Sequence, residues 1–174
     1  MSKTLVVIAH PELNSSRINA AWAHAICGLD CATVHNLYGY YPDGKIDVRH
    51  EQQLMNVHDR IVLQFPFQWY NCPALLKQWL DEVFESGWAY GPNGNALEGK
   101  TMSLAVSTWS IAEDYQRSGR YARSIDDLLS PFEVTALRVG MKFQPGFYLH
   151  GIGAISDEQL AINAQAYRAF INDS

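Results

Sequence analysis

The chain has 174 residues, 48% of them hydrophobic and 18% charged, a balance that supports one α/β domain with a substantial core and excludes a disordered chain. Its net charge of −5, with basic residues scattered apart from a thin cluster at Arg117, Arg120 and Arg123, leaves no electrostatic footprint for nucleic acid. No stretch reaches the roughly 20 apolar residues of a membrane helix, Leu5–Ala9 is too brief for a signal peptide, and Cys27, Cys31 and Cys72 match neither a zinc pattern nor a disulfide framework.

The expectation from these counts is a reduced, cytoplasmic protein with no bound metal. Along the chain, Leu5–Ala9 is a continuous apolar, β-branched run of the kind found in strands buried on both faces. A polar loop, His10 to Ser16, follows. From about Ser16 to Leu29, the residues Ile18, Ala21, Trp22, Ala25 and Ile26 recur at helical spacing. Ala32–Leu37 reads as a second strand, Tyr38–Lys45 as a Tyr/Gly/Pro loop, and Val48 to Val57 as a short helix. Arg60–Phe65 is the third strand, ended by Pro66, which has no amide hydrogen for a ladder. Pro73 opens an amphipathic helix, ALLKQWLDEVF. Gly91 to Gly99 is a surface loop, Thr101–Ser107 a fourth strand, Tyr121–Leu129 a helix, Phe143–Leu149 a fifth strand, and Asp157–Ile171 a closing helix.

Strands alternating with helices predict a parallel sheet of five strands with helices on both faces, in one domain over residues 1–174. In such sheets ligands lie beyond the carboxyl ends of the strands. The loops there are His10–Ser16, Pro66–Cys72 and Thr108–Tyr115.

One motif points elsewhere. Gly94-Asn95-Ala96-Leu97-Glu98-Gly99-Lys100-Thr101 matches the Walker A pattern. That chemistry needs a strand before the loop and a helix after it, so that helix amides face the phosphates. Here the loop runs into a strand, so the segment is read as a turn with Lys100 solvated at the strand's start.

The three loops suit a flat, phosphorylated ligand. His10, Ser16 and Asn19 stand at a helix N-terminus, where side-chain donors and the helix dipole favour a phosphate monoester; Ser16 as a plain cap is the alternative. The second loop sets Phe67, Trp69 and Tyr70 between Pro66 and Pro73, an aromatic wall for a planar heterocycle or for a second subunit. The third carries hydroxyls and Tyr115, donors suited to negative charge developing on such a ring, or packing alone.

His10-Pro11, Ser16-x-x-Asn19, the block QFPFQWYNCPALLKQWLDEVFESGWAYG, and Thr108 with Tyr115 together resemble the flavodoxin-like NAD(P)H:quinone oxidoreductase family. That family includes diaphorase-type quinone reductases and ancillary subunits of glutathione-gated potassium efflux systems. The resemblance implies a flavin, a ping-pong hydride relay from NADH or NADPH to a quinone-like acceptor, and a homodimer. It assigns His10, Ser16, Arg17, Ile18 and Asn19 to the flavin phosphate, and Pro66, Phe67, Gln68, Trp69 and Tyr70 to the ring. Thr108, Trp109, Ser110 and Tyr115 match its third flavin loop, with Tyr115 and Tyr121 as the catalytic candidates. Two departures stand out. Tyr121 occupies the place of a proton-moving histidine, and a phenol with an ordinary pKa of about 10 is a poor shuttle at neutral pH. Ser107-Thr108-Trp109-Ser110 replaces Thr-Thr-Gly-Gly, so either the Trp109 indole points away from the ring or flavin binding is altered. The short chain, without a long C-terminal extension, favours FMN over FAD.

The leading expectation is therefore an FMN-dependent NAD(P)H:quinone oxidoreductase. The alternative is a regulatory ancillary subunit of a potassium efflux antiporter, with that membrane transporter as its partner. A one-electron flavodoxin carrier is disfavoured, because the hydroxyl- and glycine-rich phosphate loop is missing.

Overall fold

The computed structural model of the protein describes residues 3–172. β1 (Thr4–Ile8) is buried at every position, as its unbroken apolar run requires. It lies between β2 (Ala32–Asn36) and β3 (Arg60–Pro66), and β3 pairs with β4 (Thr101–Ser107). All pairings are parallel, in the order β2-β1-β3-β4-β5. The fifth position is broken into β5 (Lys142–Phe143) and β6 (Phe147–Leu149), both paired with β4. The single strand expected at Phe143–Leu149 is interrupted because Gln144-Pro145-Gly146 lies between the pieces, and Pro145 has no amide to donate.

Alternation along the strands builds two cores. Leu5, Val7, Leu63, Phe65, Leu104 and Val106 face one side, Val6, Ile8, Val62 and Ala105 the other. The first core is covered by α3 (Val48–Asn56), α4 (Ala74–Val83) and α5 (Ile125–Arg138), through residues such as Met55, Trp79 and Phe132. The second is covered by α1 (Arg17–Ile26) and α6 (Asp157–Asn172), through Trp22, Ile26, Leu160 and Tyr167. Glu51 of α3 is fully buried and accepts from the Tyr41 hydroxyl at 2.5 Å and Trp79 Nε1 at 2.8 Å. His35 Nε2 lies 2.9 Å from Glu51 Oε1, off the line of a hydrogen bond. Burial pushes the Glu51 carboxyl up, but His35, Tyr41 and Trp79 together hold it below its ordinary range.

The helix ends follow local chemistry. Ser16 caps α1 by accepting from the Asn19 amide at 3.1 Å, and left-handed Gly28 (φ 77°) follows its end, before the expected Leu29. Leu37–Tyr40 forms a single helical turn (α2) capped by Asn36, where Leu37 was expected to end the second strand and the rest to be loop. The helix expected at Tyr121–Leu129 begins at Ile125 and runs on to Arg138. A capping box between Ser124 and Asp127 sets its start. Pro131 does not stop it: the Asp127 carbonyl, which a residue-131 amide would otherwise bond, receives the Ser130 hydroxyl at 2.8 Å. The Walker-like segment is a turn running into β4. Lys100, however, is half-buried and donates to the carbonyls of His58 (2.7 Å) and Asn56 (3.2 Å) instead of standing in solvent. Among the described residues, no helix is long and apolar enough to cross a membrane.

Candidate functional site: an aromatic rim at the strand ends

The parallel sheet brings the loops after β1, β3 and β4 to one edge, as expected for a crevice at strand carboxyl ends. A buried hydrogen-bond network fixes the first loop against the third. The Tyr167 hydroxyl donates to Gln64 Oε1 at 2.9 Å, and Gln64 Nε2 donates to the Asn19 carbonyl at 3.0 Å. Asn19 Nδ2 completes the chain by donating to Ser107 Oγ at 3.1 Å. Asn19 is 1% exposed, and its side chain ties the start of α1 to the end of β4. Ile18 is likewise buried in the second core.

At the rim itself stand Ser16, His10 and the first amides of α1. Those of Arg17 and Ile18 have no carbonyl one turn behind them. His10 Nδ1 accepts from the Glu12 amide at 3.1 Å, which leaves the proton of the neutral ring on Nε2. Burial lowers the His10 pKa, against a smaller opposing pull from Glu12, so the ring is neutral at pH 7. Arg17 is paired with Asp157 at the start of α6, Nη2 to Oδ1 at 2.6 Å.

The second loop is a two-residue hairpin. Gln68 and Asn71 exchange amide–carbonyl bonds, 2.9 Å each way, across Trp69 (φ 46°) and Tyr70 (φ 62°). Positive φ at both central residues is the mark of a type I′ turn, which Asn-Gly normally fills. Bulky aromatic residues there carry strain of order 1–3 kcal/mol each, a cost retained chiefly where backbone and side chains must be presented in one way. The turn uses neither the Trp69 nor the Tyr70 amide. Trp69 is 93% exposed, while Tyr70 packs edge-on against Phe67 and Tyr121.

The third loop carries the polar part of the rim. Its 3₁₀ turn, Ala112–Tyr115, buries Tyr115 beneath Phe67, Tyr121 and His150, with ring centroids 5.2 to 6.0 Å away. Burial pushes the Tyr115 phenol up, partly offset by the hydroxyls of Thr108 and Ser110. The Tyr121 hydroxyl is 2.7 Å from Ser110 Oγ. Trp109 is exposed, with its indole lying over Gly153, where even a methyl group would meet the ring at 3.0 Å. Pro66 and Phe67 are half-buried at the base of the rim and Gln68 is exposed at its edge.

His150, just beyond β6, was missed by sequence reasoning. Its Nδ1 lies 2.8 Å from Thr108 Oγ1, and its ring packs against Tyr115, centroids 5.2 Å apart and tilted by 35°. Only the placement of β6 beside the end of β4 brings it there, so no local motif signals it. His150 also lines an apolar cleft of about 640 Å³ between the third loop and α6, with Ile111, Leu149, Ile155 and Ile162. Trp88 and Tyr90 are half-buried and pack against the first core.

A family model described as "flavodoxin-like fold" matches residues 2–171. An uncharacterised NAD(P)H oxidoreductase of Bacillus subtilis, YdeQ, is 48% identical over 165 residues, 95% of this chain and 84% of that protein. The glutathione-regulated potassium-efflux system ancillary protein KefG of Pectobacterium atrosepticum is 39% identical over 170 residues, 98% of this chain and 93% of that protein. Among solved structures, general stress protein 14 of Treponema denticola in complex with FMN superposes with a TM-score of 0.94 at 44% identity, covering 98% of each chain. An NADPH-quinone reductase from P. pentosaceus superposes at 0.91 with 32% identity, covering 99% of each. With the sheet order, the strand-end rim and this family match in agreement, the chain belongs to the flavodoxin-like fold family, among the relatives of NAD(P)H oxidoreductases and quinone reductases.

Proposed function

We propose that the protein is an FMN-dependent NAD(P)H:quinone oxidoreductase, working as a homodimer in the cytoplasm as one domain. The observation that carries this reading is the strained Trp69-Tyr70 turn facing the hydroxyl-lined third loop across the rim, in a chain 44% identical to a protein solved with FMN.

The residues fit that cofactor. The α1 amides, Ser16 and His10 Nε2 form a donor set suited to a phosphate monoester, with Arg17 adding positive charge at the same helix end. The unused amides of Trp69 and Tyr70 and the Pro66–Phe67 backbone suit the polar edge of a flat ring, and Tyr70 and Phe67 suit its faces. FMN, when bound, accepts hydride from a reduced nicotinamide and passes it to an acceptor. The chain's own part is to bind and orient. The exposed Trp69 and the apolar cleft beside His150 offer apolar surface that an aromatic acceptor would cover, displacing water from it. Tyr115 and Tyr121 set hydroxyl groups where negative charge develops, and a quinone needs a proton for each oxygen that is reduced.

The test is the absorption spectrum of the purified protein, then titration with NADH and NADPH in the presence of menadione. A yellow protein that oxidises either nucleotide only when menadione is present supports the reading; a colourless protein that takes up no FMN sinks it. Light scattering at micromolar concentration tests the dimer, a mass near 19.6 kDa being the outcome against it. The second reading, an ancillary subunit of a potassium efflux antiporter, is favoured by the KefG relative. It calls for copurification with a membrane transporter, which the enzyme reading does not.

A further inference from the structure

Resting on that oxidoreductase reading, we infer that the cleft lined by Arg117 and Arg123 receives the 2′-phosphate of NADPH, and so makes NADPH the preferred reductant.

On a solvated helix, Arg117, Arg120 and Arg123 would be unremarkable surface charge. They are not on a helix: α5 begins only at Ile125, and residues 116 to 124 form an irregular segment between the 3₁₀ turn and that helix. The segment is held in one shape. The Tyr121 amide donates to the Asp114 carbonyl at 3.2 Å, and Gly119 and Ala122 close tight turns onto Gln116 and Gly119 at 2.9 and 3.1 Å. Gly119 passes so near the Glu113 carbonyl that a side chain there would sit 2.2 Å from its oxygen. Ala122 is held at φ 52°, a conformation a non-glycine residue adopts at a cost. Strain and close approach therefore present the arginines on a fixed scaffold, which lowers the ordering entropy that a flexible clamp must overcome.

The cleft, about 700 Å³, is lined by Arg117, Ala122, Arg123, Asp127 and Leu128. Its lining carries two arginines and one aspartate, and the Arg123 guanidinium donates to the Ala122 carbonyl at 2.7 Å, which fixes it beside the cleft with its remaining N–H groups uncommitted among the described residues. The carboxylate is already engaged: Asp127 Oδ2 accepts from the Ser124 amide at 3.1 Å in the capping box. Its pKa is lowered chiefly by the Ser124 bonds and then by Arg117 and Arg123, so both guanidinium groups act on this space. Three of the chain's thirteen Lys and Arg residues fall within this one short segment, in a chain of net charge −5. Guanidinium forks match phosphate oxygens in pairs, which a single point charge does not.

The position suits the dinucleotide. Tyr121 packs on Tyr70 of the aromatic rim, and the Arg120 guanidinium lies 5.7 Å from the Tyr121 ring centre. Arg123 follows two residues later, within about 7 Å of Tyr121 along the backbone. A nicotinamide placed at the rim leaves its adenosine end directed along the rim, where this cleft can receive a phosphate on the ribose.

The probes are 2′,5′-ADP, 5′-ADP and inorganic phosphate, titrated calorimetrically into the purified protein as isolated. The first is expected to bind at least about tenfold tighter than the second, the size of one charge-assisted phosphate contact. Arg117→Gln and Arg123→Gln should each remove most of that preference, and Arg123→Lys should keep part of it. Thermal melts of the same variants establish that they are folded. Equal affinity for the two nucleotides, or a preference that survives both Gln substitutions, overturns the inference, as does inorganic phosphate competing as well as 2′,5′-ADP. The two readings separate cleanly. An arginine-dependent preference for 2′,5′-ADP without quinone reduction would leave this site standing and remove the oxidoreductase reading. Quinone reduction with no preference between the probes would do the reverse.

Discussion

His150 Nδ1 and Thr108 Oγ1 lie 2.8 Å apart, joining the end of the broken edge strand to the loop after β4. The same hydroxyl donates to the Ser110 carbonyl at 2.9 Å, so His150 Nδ1 takes no proton from it in that geometry and instead donates its own. The imidazole thereby braces the polar side of the rim, with the Tyr115 ring packed against it at a tilt.

The first prediction concerns pH. Burial lowers the His150 and His10 pKa values, outweighing the opposite pulls of Glu113 and Glu12. Unfolded histidines take up protons near pH 6.5, before these folded ones do. Stability from both is thus present above about pH 6.5 and is lost as pH falls through the lower folded values. Melting temperature should drop between pH 7 and pH 5, and His150→Gln, which keeps a donor near Thr108, should flatten part of that drop. A His150→Gln profile parallel to that of the parent protein would show that His150 does not contribute.

The second concerns the strained turn. Trp69→Asn combined with Tyr70→Gly supplies the residues a type I′ turn prefers. Relief of positive-φ strain should raise stability by roughly 1–2 kcal/mol in urea unfolding. Truncating either residue to Ala should weaken flavin or acceptor binding by roughly 1–3 kcal/mol, the range for losing an aromatic stacking surface. A stabilised variant with full binding would mean that the turn serves packing alone.

The third separates the two tyrosines. Tyr115→Phe removes a buried hydroxyl among Thr108 and Ser110, and Tyr121→Phe removes the partner of Ser110 Oγ. Stopped-flow reduction by NAD(P)H should slow about tenfold in Tyr115→Phe, corresponding to loss of one donor at a partly wetted edge. Tyr121→Phe, nearer the mouth, should instead affect the acceptor half-reaction. Equal rates in all three proteins would leave backbone amides as the remaining donors.

The fourth tests the network beneath the rim. Asn19→Ala leaves Ser107 Oγ without its buried donor and empties the space beside Gln64. A stability loss of about 1–3 kcal/mol is expected from unsatisfied buried polar groups. Ser16→Ala should cost only about 1 kcal/mol as a lost cap, yet weaken FMN binding more than Asn19→Ala does, because Ser16 lies at the rim. Isothermal titration of the two variants with FMN decides between them.

Periodicity alone determined most of the scaffold. Apolar runs at Leu5–Ala9, Arg60–Phe65 and Thr101–Ser107 are legible because a strand buried on both faces admits little else. The three loops of the rim followed from strand–helix alternation, since a parallel sheet places them at one edge. Other features depended on interactions distant in sequence. The start of α5 rests on a capping box that competes with nearby helical spacing, and the edge strand breaks where Pro145 removes an amide. The partners of Asn19, Gln64 and Ser107, lie 45 and 88 residues away in sequence, so its place in that network is invisible at the start of α1. His150 has no local pattern at all: it enters the rim only because β6 pairs with β4 and carries the next residue to Thr108. Hydrophobic pattern is local and repeats along the chain, so sequence carries it; the pairing of single polar groups depends on where the chain returns, and the tertiary structure decided that.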